Sequence, residues 1–308
     1  MALEVYTKIN TLYCRFKNLG NCPNPKWKKW QNKIIFGFFS DASTKYLKDC
    51  LWEGYSKIDG TNSKIAFFPS TGKIVVRGKT DKANSQHGQF EMLQEIADRI
   101  QPELVKMFPK ESARFALVKE GNKVQYYATS VEYATAFNPI VDFKKAEPTA
   151  NGLYGVQLEE VPVYIYGEYY GQGIQKCGGR YYDHNDFAVF DIEAQGWWVP
   201  KDIRDAWCEG LGLKQVPFIG VDTITNFEKR VMDGFGTLVP GAKDPSLIEE
   251  GIVCRPVIPI KDERGNRIIV KIKYCDYKEW ADTMKDFTEE EYREFCEWYN
   301  KNIEPISI

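Results

Sequence analysis

The residues richest in chemistry are Lys57-Ile58-Asp59-Gly60-Thr61-Asn62. A lysine at the end of a strand-like run, with a carboxylate two positions on and a glycine after it, can serve as an amine nucleophile. Alternation along extended backbone puts Lys57 and Asp59 on the same side. Gly60 lets the chain turn sharply and leaves room for a ligand. An amine attacks only after losing its proton, and nearby cations or a metal ion lower its pKa. Taken alone, K-x-D-G also describes a surface turn, so the short motif carries little by itself.

Five further elements follow in order. Arg77 ends the second strand of a hairpin. Tyr166-Gly167-Glu168 ends another strand and runs into Gly171-Gln172-Gly173-Ile174-Gln175-Lys176. Phe187-Ala188-Val189-Phe190-Asp191-Ile192 comes next, and Glu250-Gly251-Ile252-Val253 opens a late strand. Lys271-Ile272-Lys273 lies on that strand's hairpin partner, with both lysines on one face. Two lysines, an arginine and two or three carboxylates near strand ends suit a nucleoside triphosphate and its divalent metal. Cations hold phosphates, carboxylates hold Mg²⁺ through water, and an aromatic face stacks a base.

Strand-like segments dominate and deliver these groups. CLWEGYSKI brings Lys57 to a strand end, and KIAFFPSTGKIVVRG reads as a hairpin about Ser-Thr-Gly. Residues 88–108 carry Phe90, Leu93, Ile96 and Ile100 at helical spacing. RFALVKEGNKVQYYATS reads as a hairpin turning at Glu-Gly-Asn, and VPVYIYGEYYG, DFAVFDIEAQGWWVP and VPFIGV as strands. Short helices are expected near 200–211 and 225–235, then a hairpin around DERGN, then a helical tail with a capping-box start at Thr288. The sum predicts an α+β fold of mostly antiparallel sheets with flanking helices.

Composition narrows the field. The chain has 308 residues, 43% of them hydrophobic and 27% charged, the balance of a soluble globular protein. A net charge of −2 gives no global positive field, so any polyanion site must be a local patch. No apolar run is long enough to span a bilayer, and the start lacks a signal-peptide pattern, so the cytoplasm is the expected location. Eight scattered cysteines without a CxxC pair read as reduced thiols rather than zinc ligands. Two histidines leave almost no material for histidine-based catalysis.

The ordered set resembles the signature of covalent nucleotidyltransferases, namely ATP-dependent DNA ligases, RNA ligases and mRNA-capping guanylyltransferases. KIDGTN with the downstream GQGIQK and FAVFDI is most similar to the RNA ligase 2-like branch, typified by bacteriophage and trypanosome RNA-editing ligases, over roughly residues 45–275. The resemblance implies the nucleotidyltransferase (ligase catalytic domain) fold, with ATP and Mg²⁺ as cofactors. It also implies three steps: a lysine takes AMP from ATP, AMP passes to a 5′-phosphate end, and a 3′-hydroxyl displaces it. Carried over, Lys57 is the nucleophile, and Asp59 and Glu250 hold Mg²⁺ largely through water. Ile58, Asn62 and Arg77 contact the nucleotide, Glu168 binds the ribose hydroxyl, and Lys271 and Lys273 grip the α-phosphate. Phe187 and Phe190 fall on opposite strand faces; Phe187 is preferred as the ring that stacks on adenine. Asp191 is expected to support the fold rather than the metal.

The same resemblance frames the organisation. Residues 1–275 are expected to form the adenylyltransferase domain, with an insertion at about 80–160, and residues 276–308 a helical tail where relatives carry a further domain. Lysine adenylylation should survive that difference, whereas nick sealing would call for help from a protein partner. The expected substrates are RNA ends in nicked or duplex RNA, or an RNA/DNA hybrid, with no membrane involved; a viral source would place the enzyme in host cytoplasm. A minimal DNA ligase is the nearest alternative, and a non-catalytic nucleotide or nucleic-acid binding module the most distant. In the N-terminal segment, Lys17, Lys26, Lys28, Lys29 and Lys33 interleave with Trp27 and Trp30. This pattern fits a nucleic-acid-stacking patch or an amphipathic segment that buries its indoles.

Overall fold

The computed structural model describes residues 6, 9–17, 22–79, 88–118, 127–128, 157–262 and 265–302. Its strands in the first half of the chain are β1 (Asn10–Thr11), β2 (Tyr13–Arg15), β3 (Ile34–Phe39), β4 (Trp52–Ser56), β5 (Thr61–Phe68), β6 (Lys73–Gly78), β7 (Arg114–Val118) and β8 (Tyr127–Ala128). The remaining strands are β9 (Gln157–Val161), β10 (Val163–Gly171), β11 (Asn185–Ala194), β12 (Trp197–Trp198), β13 (Phe218–Asp222), β14 (Gly251–Pro256) and β15 (Val270–Lys273). The main helices are α1 (Ala42–Leu47), α2 (Gln89–Met107), α3 (Lys201–Gly210), α4 (Ile224–Asp233), α5 (Tyr274–Met284) and α6 (Glu289–Asn302). The chain divides into two compact units. One is Met1–Tyr6, Gly60–Gly179 and Asp183–Gln215; the other is Thr7–Asp59, Arg180–Tyr182 and Val216–Ile308.

The second of these units is built on a five-stranded sheet in the order β1-β15-β14-β4-β13, antiparallel except for β1 against β15. Period-two alternation divides its residues cleanly. Trp52, Ile252, Cys254, Val270 and Ile272 face a core shared with Phe227 and Val231 of α4 and Tyr277 of α5. Gly54 sits beneath Phe227, where a Cβ would meet the ring at 2.6 Å. The intervening residues Glu53, Tyr55, Val253, Arg255, Lys271 and Lys273 fall on the opposite face by the strand registers.

A separate core in this unit closes the N-terminal segment against the tail. Trp27 and Trp30, on a 3-10 helix over Pro25–Trp30, pack with Phe16, Phe287, Phe295 and Tyr299. Trp30 is fully buried and stacks on Phe295, with ring centroids 5.7 Å apart and planes 10° apart. Lys26 and Lys29 pair with Glu291 and Asp286, and Lys33 donates to the Thr283 hydroxyl. The amphipathic reading of this segment therefore holds, and its indoles are not surfaces for stacking bases. The capping box read from Thr288 forms as expected: Glu291 N–H donates to Thr288 Oγ1 at 3.1 Å, and Thr288 N–H donates to Glu291 Oε2 at 2.8 Å.

The other unit carries an antiparallel sheet in the order β12-β11-β10-β5-β6, with β5 and β6 forming the expected hairpin. Ile65, Phe67, Val163, Ile165 and Val189 face α2 through Leu93, Ala97, Ile100 and Leu104. The helix expected over 88–108 is α2. A smaller antiparallel sheet, β8-β7-β9, follows it. The strands of the expected 114–130 hairpin pair, while its Glu-Gly-Asn turn and much of the expected insertion lie outside the described residues. The α+β class with antiparallel sheets and flanking helices is as the sequence implies. No described helix is long and apolar enough to cross a membrane.

Because Trp30 fills the centre of the N-terminal core, Trp30→Ala is expected to destabilise the fold by about 3–5 kcal/mol. Urea unfolding followed by circular dichroism measures this; an unchanged midpoint would contradict the packing described.

Candidate active site

Lys57 directly follows β4, which ends at Ser56, and its N–H donates to Gly251 O at 3.0 Å. Glu250 directly precedes β14, and Lys273 closes β15. The registers Ser56↔Ile252 and Gly251↔Lys273 bring these three residues to one end of the sheet. There Lys57 Nζ lies 2.6 Å from Glu250 Oε2, and Lys273 Nζ lies 2.8 Å from Glu250 Oε1. Both carboxylate oxygens thus hold an ammonium group. Lys271 shares the face of Lys273 two residues away. Burial opposes the charge on Lys273, but the hydrogen bond and Coulombic attraction to Glu250 outweigh it and raise its pKa above the ordinary lysine value.

Asp59 lies beyond the same strand end, and its N–H donates to the Tyr181 hydroxyl at 3.1 Å. Ile58 between them is buried. Gly251 is needed for close approach, since a Cβ there would stand 1.9 Å from Ile272 O. Next to Glu250, Glu249 is buried and accepts from Ser56 Oγ at 2.5 Å and from Leu238 N–H at 2.9 Å. Burial raises its pKa against the lowering effect of those bonds. Sequence reasoning did not single out Glu249, Ser56 or Tyr181. Two adjacent acids before a strand were the available signal, because alternation must send their side chains to opposite sides.

The remaining expected residues lie in the other unit. Asn62 of β5 and Glu168 of β10 are direct cross-strand partners. The adjacent row on that face runs Arg77, Lys64, Tyr166, Asp191. Arg77 also donates to the carbonyl of Val76 at 2.8 Å. Gly60 leaves no spare room: a Cβ would stand 2.5 Å from Tyr169 O and 2.7 Å from Glu168 Cγ, so the space is taken by β10. The two candidate rings, Phe187 and Phe190, take different environments. Phe187 is 2% exposed and belongs to the apolar core beneath α2, on the face opposite Glu168. A bulge in the β10–β11 pairing leaves Phe190 as the extra residue. Its half-buried ring meets Tyr6, which hydrogen-bonds Asp191 at 2.9 Å and packs on Tyr166 of the Glu168 face.

Comparison with known proteins was decisive on family. A family model described as RNA ligase matches residues 52–273, well over half of the chain. The chain belongs to the RNA ligase family. No curated protein matches it in sequence. Among solved structures it is similar to an RNA ligase from Naegleria gruberi. An apo aspartate variant matches at TM-score 0.44 and 13% identity, over 78% of this chain and 54% of that one. A form with pyrophosphate matches at 0.44 and 13%, over 80% and 55%. A lysine-to-alanine variant with ATP and Mn matches at 0.45 and 12%, over 78% and 55%. The chain spans about half the length of these structures.

The donor set of this RNA ligase family member bears on a metal. Among the described residues there is no cluster of three or more His, Cys, Asp or Glu able to hold an ion. Two carboxylates beyond one sheet end, Asp59 and Glu250, suit instead a divalent ion that keeps several waters, as Mg²⁺ does.

The raised Lys273 pKa has a defined sign. A pair that raises a lysine's folded pKa stabilises fully below the unfolded value of about 10.4 and is lost as pH climbs through the folded one. A ¹³Cε titration of Lys273 should show a pKa above the ordinary value in the wild type and a downward shift in Glu250→Gln. No shift between the two would remove the pair.

Proposed function

We propose that this chain is an ATP-dependent RNA ligase that carries AMP on Lys57 and joins 5′-phosphate to 3′-hydroxyl ends. The observation that supports it most is the double grip on Glu250 by Lys57 and Lys273 at paired strand ends, in a chain of the RNA ligase family. An amine meant only for a surface ion pair would not need a second ammonium on the same carboxylate.

In the first step the Lys57 ammonium gives up one proton to solvent, its nitrogen forms a bond to the α-phosphorus of ATP, and a second proton leaves that nitrogen to solvent as the phosphoramidate forms. The bond from that phosphorus to the bridging oxygen breaks, and pyrophosphate leaves with the electron pair. Lys271 and Lys273 offset the charge gathering on the α-phosphate oxygens. A hydrated Mg²⁺ held by Asp59 and Glu250 would supply charge neutralisation along the phosphates. Ile58, Asn62 and Arg77 contact the nucleotide, Glu168 takes the ribose hydroxyl, and Phe190 rather than Phe187 stacks on adenine. AMP then passes to the 5′-phosphate of an RNA end, and a 3′-hydroxyl attacks that phosphate and expels AMP. The choice of RNA over DNA rests on the family, since recognition of a 2′-hydroxyl is what separates the two.

Incubation with α-labelled ATP and Mg²⁺, followed by denaturing electrophoresis, should leave label on the protein. Lys57→Ala should abolish it, and labelled GTP should not replace ATP. Label that persists in Lys57→Ala would sink the assignment. Sealing assays on nicked RNA, DNA and hybrid duplexes then rank the substrates, with RNA-containing nicks expected first.

A further inference from the structure

Two side-chain bonds stand on successive residues of the same two chain segments. Ser56 bonds Glu249, and the next residue of each, Lys57 and Glu250, forms the ion pair of the site. The Ser56–Glu249 pair is sealed from water, with the residues 3% and 1% exposed. Glu249 is held on every side. Its second oxygen accepts from Leu238 N–H, and its own N–H donates to Phe235 O at 2.9 Å. Ser56 is fixed in turn by its N–H to Pro217 O at 2.9 Å.

A buried carboxylate is a poor choice for packing alone, because its desolvation must be offset by bonds that an aliphatic side chain would not need. What it adds is direction. Glu249 and Glu250 are neighbours just before β14, so bonds that hold the Glu249 backbone and side chain also restrict where the next side chain can point. We propose that Glu249 and Ser56 act as a positioning pair that sets the nucleophilic Lys57 against Glu250 without touching the nucleotide. This rests on the reading of Lys57 as the adenylylated lysine.

The test uses the full chain with Ser56→Ala, Glu249→Gln, Glu249→Ala and the Ser56→Ala/Glu249→Ala double variant. Single-turnover adenylylation is followed across ATP concentrations. Trace acylation of Lys57, relative to the exposed Lys28, is read by mass spectrometry without ATP. Glu249→Ala should lower the saturating rate about 10- to 100-fold, as misplaced reacting groups do. Its half-saturating ATP concentration should stay within about threefold, because nucleotide contacts are unchanged. Glu249→Gln, whose amide oxygen can accept from Leu238 N–H while its amide nitrogen donates to Ser56 Oγ, should recover most of the rate. The double variant should be no slower than Glu249→Ala, as expected of residues acting as one unit. Lys57 acylation should rise in Glu249→Ala as its ion pair loosens.

A wild-type rate with wild-type acylation in Glu249→Ala overturns the proposal, as does a double variant whose losses multiply. If Glu249→Ala does not fold by circular dichroism, Ser56→Ala decides: a rate loss supports the pair, and a wild-type rate overturns it. A wild-type protein that never takes label, while Glu249→Ala still changes Lys57 acylation, would sink the ligase reading and leave the positioning pair standing.

Discussion

Two ammonium groups at one strand edge repel each other unless a counter-charge stands between them. Glu250 is that counter-charge, with one oxygen for Lys57 and the other for Lys273. The rest of its unit can be understood as what this bridge requires. Strands β4, β14 and β15 must hold one register so that the three side chains end level. Gly251 must be a glycine for β14 to approach β15 that closely. Helices α4 and α5 must cover the reverse face, because three strands ending in charged groups are stable only when their other side is dry.

Each unit solves this problem in the same way. A sheet gives one face to an apolar core beneath helices and keeps its other face for charged and polar side chains. In the unit with α2 that other face bears Asn62 and Glu168, with Arg77 and the buried Lys64 and Asp191 in the row beside them. The chain passes from one unit to the other between Asp59 and Gly60, within the six residues that first drew notice.

How much of this was legible depended on whether period-two alternation decided the question. Lys57 directly follows β4 and Lys273 closes β15, as the strand pattern implies, while Glu250 lies just before β14, where alternation no longer decides its side. For Phe187 and Phe190, three residues of spacing tell only that the rings part company, not which side α2 covers. The lysine-and-tryptophan segment admitted two readings because an indole that stacks on a base and one that fills a core follow the same pattern. Its partners, Phe287 and Phe295, lie at the far end of the chain. Glu249 was passed over because two neighbouring acids look alike until one proves buried. The contacts of Tyr6 and Tyr181 join positions too distant in sequence for local pattern to reveal.

The core that joins Trp27 and Trp30 to the tail has a consequence for how the protein is made. Their covering side chains, Phe287, Phe295 and Tyr299, come far later in the chain. At roughly 5–20 residues per second, the stretch from Trp30 to Phe295 takes roughly 13 to 50 seconds to synthesise. Throughout that interval the two indoles lack the part of their cover that Phe287, Phe295 and Tyr299 provide in the folded protein. Glu291, which accepts from both the Thr288 N–H and the Lys26 ammonium, then fastens the Lys26 segment to α6 as that helix forms.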